Sequence, residues 1–326
     1  MSDTRNASDG VVASRHANAR FPLDVVYHAA RMYYLEDATQ VEIASRLDVS
    51  RPTVSRLIAE ARRAGLVRIE VVDPFQDETV ALAERLQVGL GLERVYLAAV
   101  THASTLGTDL AAPVAAAIQG MELGPGDAML LSSGRTTYEI ARAGLPPLAG
   151  VQLAPTVGGQ TEPVSWYQTN EITRMAAEQT GAFPAFLFAQ ALPSAAMRAS
   201  LDEDPAFQHV VGLWNRAKGA ILGIGAPPAT RDSLSRGIPV EDDVFDMAAG
   251  DVCLNFFRTD GTAVEFPGSD RMVRTSREIL CAMPHAVGVA VGTGKVPSII
   301  GAVRGQLVNE LVTDAVTARA LLDALE

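Results

Sequence analysis

The sequence predicts an α/β protein in two parts: a small N-terminal helical helix-turn-helix domain and a larger, mainly parallel-sheet domain. Three observations carry this. Residues 39–66 hold a capped pair of short amphipathic segments. From Glu93 onward, short apolar runs alternate with amphipathic ones, the pattern of a doubly wound sheet whose strands are buried on both faces. Six arginines cluster between Arg46 and Arg68 against Asp48 and Glu60, in a chain of formal net charge −11. That cluster is placed rather than compositional.

Residues 1–20 are small and polar without periodicity and are expected to form a disordered tail. Pro22 opens a helix through about Tyr34. Thr39 stands three residues before Glu42, a capping-box spacing in which each side chain satisfies the other's free backbone N–H. Ile43, Ala44 and Leu47 share one face of that second helix. Asp48-Val49-Ser50 interrupts it, Ser50 caps a third, and Pro52 sits in the first turn where its missing N–H costs little. Val54, Leu57, Ile58 and Ala61 form the inner face, and Gly65 ends the helix. A recognition helix docking by its N-terminal end presents Ser50, Arg51, Thr53, Ser55 and Arg56 to double-stranded DNA. The competing reading is an ordinary helical hairpin with a solvated basic face. Leu66–Val72 alternates with period two and reads as a wing strand, stopped by Asp73-Pro74. The expected boundaries are 1–20 for the tail, 21–73 for the winged helix-turn-helix, 74–92 for a linker helix and 93–326 for the second domain.

In the second domain, strands are expected at Val95–Val100, Ala128–Leu131, Val151–Ala154, Phe186–Ala189, Ala220–Ile224, Ala286–Val291 and Leu311–Val312. Helices are expected near Leu106–Ile118, from Thr137, at Asn170–Gln179, between Pro205 and Arg216, near Ser276–Ala282, from Val296 and after Asp314. Asp251–Phe257 and Thr262–Phe266 read as a hairpin turning through Thr259-Asp260-Gly261. Ligands of such sheets bind at the carboxyl ends of the strands.

Composition narrows the function classes. Hydrophobic content of 48% and charged content of 20% describe a soluble globular chain. No apolar run reaches about 18 residues, and the opening MSDTRNASDG is polar, so neither a membrane span nor a signal peptide is expected. Cys253 and Cys281 are too few for a disulfide framework or structural zinc, and with no span or signal peptide the protein is expected in the cytoplasm. No metal and no cofactor are expected. The acidic total excludes a general nucleic-acid coat protein.

Three loops have the chemistry of an anion or polyol site. Ser132-Ser133-Gly134-Arg135-Thr136-Thr137 lies between a strand and a helix, where small residues, a helix N-terminus and donor side chains suit a phosphate. A well-capped turn is the plain alternative. Thr156-Val157-Gly158-Gly159-Gln160 offers close backbone approach through paired glycines, or a flexible turn. Gly292-Thr293-Gly294-Lys295 lacks the Walker A spacing, yet Lys295 is one of two lysines in the chain and sits at a strand end. Asp260 is either a turn-former or an acceptor for a sugar hydroxyl. The five histidines share no loop and no G-x-S-x-G elbow occurs; a Ser-His-Asp triad assembled in space is left open by spacing, and the expectation is a protein that is not an enzyme.

At these residues the chain resembles the SorC family of sugar-responsive bacterial transcriptional regulators. QVEIASRLDVSRPTVSRLIAEARRAGLVRIEV is similar to the family's winged DNA-binding segment. SSGRTTYEIA, PTVGGQ, the Asn170 helix start, AILGIG and AVGTGKVPSIIGAVRGQLVNELVTDAVTARALL resemble its effector-domain signatures. The resemblance implies a Rossmann-like effector domain related in fold to ribose-phosphate isomerases, glucosamine-phosphate deaminases and CoA-transferases. It implies that Gly134, Arg135, Thr136, Thr137 and Lys295 hold a phosphate, with Gly159, Gln160 and Asn170 beside the sugar. Some members hold a deoxysugar phosphate through a lysine near the third strand; no lysine occurs between Val151 and Gln160 here. A homodimer or homotetramer is also implied. The expected function is a regulator of a carbohydrate-utilisation operon whose operator binding responds to a sugar or sugar phosphate. The alternative is a sugar-phosphate isomerase or deaminase with a DNA-binding appendix.

Overall fold

The structure, a computed structural model, describes residues 21–67, 76–231 and 243–326. The tail over residues 1–20 with His16, most of the expected wing strand with Arg68, and the Asp73-Pro74 stop lie outside the described residues. Two compact units part between residues 73 and 74.

In the first unit the local signals act as their chemistry requires. Helices α1 (Leu23–Leu35), α2 (Gln40–Arg46) and α3 (Arg51–Arg63) follow in order. Thr39 N donates to Glu42 Oε2 at 2.8 Å and Glu42 N donates to Thr39 Oγ1 at 3.3 Å, so both halves of the capping box are present. That Thr39 backbone N–H, more than any other contact, holds the Glu42 carboxyl below its ordinary range. Asp48 takes a left-handed φ of 50° in the turn, and Gly65 at φ 71° ends α3. Val26, Ala29, Ile43, Val54, Leu57, Ile58 and Ala61 are buried together as the core of this unit.

The second unit begins with α4 (Gln76–Leu90), the helix placed over 74–92 by the sequence. It packs against the domain's first strand and last helix, with Leu82 and Leu86 in that domain's core. The sheet comprises β1 (Arg94–Ala98), β2 (Ala128–Leu131), β3 (Gln152–Pro155), β4 (Phe183–Pro184), β5 (Ala217–Gly225), β8 (His285–Val289) and β9 (Glu310–Asp314). Their order is β1-β9-β8-β5-β2-β3-β4, all parallel. An antiparallel hairpin, β6 (Gly250–Val252) and β7 (Asn255–Phe257), extends from the end of β5. Helices α5 (Leu106–Asp109), α6 (Ala111–Gly120), α7 (Arg135–Ala143), α8 (Thr169–Thr180), α9 (Ala195–Asp202), α10 (Pro205–Arg216), α11 (Arg277–Ala282), α12 (Val296–Arg304) and α13 (Ala315–Asp323) complete it.

Alternation along each strand feeds two cores. Ala128 and Leu130 join Leu213, Ile299 and Leu321 on one face, while Met129 and Leu131 join Val114, Ile140 and Ile172 on the other. Buried on both faces, these strands show no period-two pattern. From β2 the chain moves outward to β3 and β4, and β5 then returns to the opposite side of β2. This reversal opens a crevice at the carboxyl ends of β2 and β5.

Three expectations are corrected. No strand forms at Phe186–Ala189; the edge strand is Phe183–Pro184. Asn170 explains the difference, because its side chain accepts from Leu187 N at 2.9 Å and donates to Leu187 O at 3.1 Å, taking both groups a neighbouring strand would have paired. The helix expected at Leu106–Ile118 is broken into α5 and α6, where Pro113 lacks the N–H a continuous helix needs. The hairpin turns at Cys253-Leu254, both at left-handed φ, and Thr262–Phe266 forms only a bridge from Ala263 to Phe257.

Candidate functional site

A cavity of about 470 Å³ lies over the carboxyl ends of β2, β5 and β8. One side is the loop leading into α7. Gly134, at φ 124°, turns the chain so that Ser133, Arg135, Thr136 and Thr137 line the cavity at the start of that helix. The loop is braced from beneath: Ser132 Oγ lies 3.1 Å from Thr137 Oγ1 and accepts from Gly223 N at 2.8 Å. Thr137 is buried and its hydroxyl serves this brace. Gln160 Nε2 donates to Ser133 Oγ at 3.2 Å, joining the β3 loop to the β2 loop.

The opposite side is charged. Arg231 Nη2 donates to Asp251 Oδ1 at 2.5 Å, and Asp251 Oδ2 accepts from Leu254 N at 2.9 Å. Lys295 donates through Nζ to the carbonyl of Ile224. Burial pushes the Lys295 ammonium down to about 8, Arg231 adds to the fall, and Asp251 partly offsets it. Cys253 also lines the cavity, but burial raises its thiol to about 12, which leaves it protonated and poorly nucleophilic. Trp166 and Tyr167, in a short 3-10 turn over Ser165–Tyr167, complete the lining.

Of the effector residues named from sequence, Ser133, Gly134, Arg135, Thr136, Thr137, Gln160 and Lys295 come together here. Gly158, Gly159, Asn170 and Asp260 do not line this cavity. Gly158 is needed for backbone packing: a Cβ there would stand 2.7 Å from the Gln190 carbonyl carbon and 2.8 Å from Ala189 O and Ala191 N. Gly159 N donates to Ala189 O at 2.7 Å. Asn170 holds Leu187, as above. Asp260 is a turn-former, its carboxylate accepting from Thr262 Oγ1 at 2.7 Å and Thr262 N at 2.9 Å. Gly158→Ala is therefore expected to destabilise the second unit by about 1–3 kcal/mol through overpacking, measurable by chemical denaturation. Unchanged stability would contradict that assignment.

Arg231, Asp251 and Trp166 are missed by local sequence reading. The first two meet because Gly225 of β5 pairs with Asp251 of β6, a non-local event; the AILGIG strand end before Arg231 was the available signal.

The candidate DNA interface lies on α3. Ser50 Oγ accepts from Thr53 N at 3.4 Å and lies 2.8 Å from Thr53 Oγ1, so these hydroxyls cap the helix. Arg51, Ser55 and Arg56 are exposed on the face opposite Val54, Leu57, Ile58 and Ala61. Arg56 leans back onto Pro52 O and Thr53 Oγ1, both at 3.3 Å, which leaves its guanidinium beside the helix N-terminus. Arg46 is engaged with Glu36 at 3.4 Å, and Arg63 with Glu60.

Comparison with known proteins bears on both units. Residues 75–323 match the family described as "Putative sugar-binding domain", and residues 23–74 match the MarR family. The deoxyribonucleoside regulator of Bacillus subtilis is 30% identical over 310 residues, spanning 91% of this chain and 96% of that one. The sorbitol operon regulator SorC of Klebsiella pneumoniae is 28% identical over 319 residues, covering 91% and 97%. Its full-length crystal structure superposes with a TM-score of 0.73 at 27% identity, covering 93% of this chain and all of that one. The chain belongs to the SorC family. Like other SorC-family proteins it is an effector-responsive, DNA-binding transcriptional regulator, with a helix-turn-helix unit and an α/β effector domain. No helix among the described residues of this SorC-family chain is long and apolar enough to cross a membrane.

Proposed function

We propose that this regulator controls a carbohydrate-utilisation operon, and that a sugar or sugar phosphate in the β2/β5/β8 cavity sets its affinity for operator DNA. The observation that carries the reading is the two-sided chemistry of that cavity. A helix N-terminus with Ser133, Arg135 and Thr136 suits a phosphate on one side. On the other, Arg231 and Asp251 offer a donor and an acceptor for hydroxyls, and Lys295 lines the cavity as a further cation for an anionic group. The protein acts in the cytoplasm as a homodimer or homotetramer, which places two recognition helices on spaced half-sites. It senses rather than turns over its ligand: Asp251, the carboxylate nearest to serving as a base, is taken up by Arg231 and Leu254 N.

Thermal-shift screening with sugars, polyols and sugar phosphates tests this. A ligand binding only the folded state raises the melting temperature by mass action, by about 2.7 kcal/mol of stability at a hundred times its Kd. No shift across the panel, or turnover of any member, would overturn the reading.

Lys295 adds a pH signature. With its free-state pKa near 8, the ammonium is charged below that value, and a bound anion raises its pKa further. Affinity for a phosphate dianion is therefore greatest between the ligand's own second pKa, about 6, and pH 8, and falls as pH rises through the Lys295 value. Lys295→Met is expected to weaken binding at pH 7 and to remove this fall, read by calorimetric titration at several pH values. A pH profile identical to the wild type would contradict the role.

A further inference from the structure

We infer that Trp166 is the positioning residue for Arg135, fixing its guanidinium at the mouth of the effector cavity so that it meets a phosphate in place. This rests on the proposed reading of the cavity and deepens it by naming what gives phosphate selectivity. Arg135 opens α7 with an exposed side chain. Left to itself such a side chain samples many rotamers, and a phosphate would have to order it on binding. The Arg135 Cζ sits 4.8 Å from the centroid of the Trp166 ring, within cation–π range, and both residues line the cavity.

The backbone that carries the indole is itself held. Trp166 is half-buried in the Ser165–Tyr167 turn, and its carbonyl accepts from Gly134 N at 2.8 Å. The residue that shapes the anion loop and the residue that carries its cation are thus tied to the same tryptophan, one through backbone and one through the ring. The stacked geometry pre-orders Arg135 and lowers the entropy lost when a phosphate engages it.

The protein carries two tryptophans, and the other, Trp214, is buried with its Nε1 donating to Pro155 O at 2.7 Å. Arg135→Ala is therefore expected to change the emission of the full-length, ligand-free protein through Trp166 alone; unchanged emission overturns the stacking. Inorganic phosphate is then titrated into wild type, Arg135→Ala, Trp166→Ala, Trp166→Phe and the double alanine variant, followed by phosphorus NMR. Trp166→Ala is expected to weaken phosphate binding about fivefold in the wild-type background and to have no further effect once Arg135 is alanine. Trp166→Phe, which keeps an aromatic face for the guanidinium, is expected to restore most of the loss; the backbone carbonyl bonded to Gly134 N is common to all the variants. Equal losses in both backgrounds would mean that Trp166 contacts the anion itself or merely supports the fold, and would overturn the inference. No phosphate binding by the wild type is a distinct result: it would remove the anion site on which the inference rests.

Discussion

Arg51→Ala combined with Arg56→Ala is expected to abolish specific operator binding while leaving the fold and the effector cavity intact. Both side chains are exposed at the N-terminal end of α3, the end that approaches base edges and phosphates in this class of DNA-binding unit. A guanidinium bidentate to a guanine contributes about 1–3 kcal/mol, and a phosphate contact steepens the salt dependence by about one unit. Loss of both from each half-site of the assembly proposed above is worth at least about a hundredfold in Kd. Neither residue supports the core, since the inner face of α3 consists of Val54, Leu57, Ile58 and Ala61. Fluorescence anisotropy with an operator fragment at two salt concentrations checks it. Affinity and salt slope equal to the wild type would remove α3 from the interface.

Leu57→Ala is expected to separate the two units' functions. Leu57 is fully buried in the first unit's core. Deleting its side chain costs about 2–5 kcal/mol in transfer and cavity terms. A unit this small has a core that supplies only about 3–5 kcal/mol of net stability, so the variant leaves it largely unfolded at ambient temperature. The second unit keeps its own cores on both faces of its sheet. Calorimetry should show the first unit's transition lost and the second's retained, with effector binding preserved and operator binding gone. Operator binding at wild-type strength would contradict this account of the core.

What was legible in the sequence follows from the range of the interactions. Thr39 with Glu42, Ser50 with Thr53, and Asp314, whose Oδ1 accepts from Thr317 N at 2.7 Å, each settle an unsatisfied backbone group within four residues, and Asp48 takes the left-handed turn conformation its own side chain tolerates. Composition and spacing encode such events directly. The Ser132–Thr137 loop was legible for the same reason, since a strand end, a left-handed glycine and a helix start are adjacent in sequence. The Arg231–Asp251 pair was not, because it depends on β6 pairing back onto β5. Trp166 was not, because its partners are Gly134 and Arg135 across the β3 crossover. Phe186–Ala189 was misread because an apolar run cannot reveal that Asn170 has taken the strand's hydrogen-bonding groups. The paired glycines at 158 and 159 do mark a close approach, but at Gly158 it is to the backbone at Ala189–Ala191 and not to a ligand cavity.

Operator affinity with and without a sugar phosphate that stabilises the protein reports the coupling between effector cavity and DNA-binding unit. Coupling free energies of about 1–3 kcal/mol correspond to changes of roughly 5- to 150-fold, in either direction. A shift in that range is expected at saturating ligand, and Lys295→Met is expected to need a higher ligand concentration to reach it. An operator Kd that stays the same when the cavity is saturated would contradict the coupling.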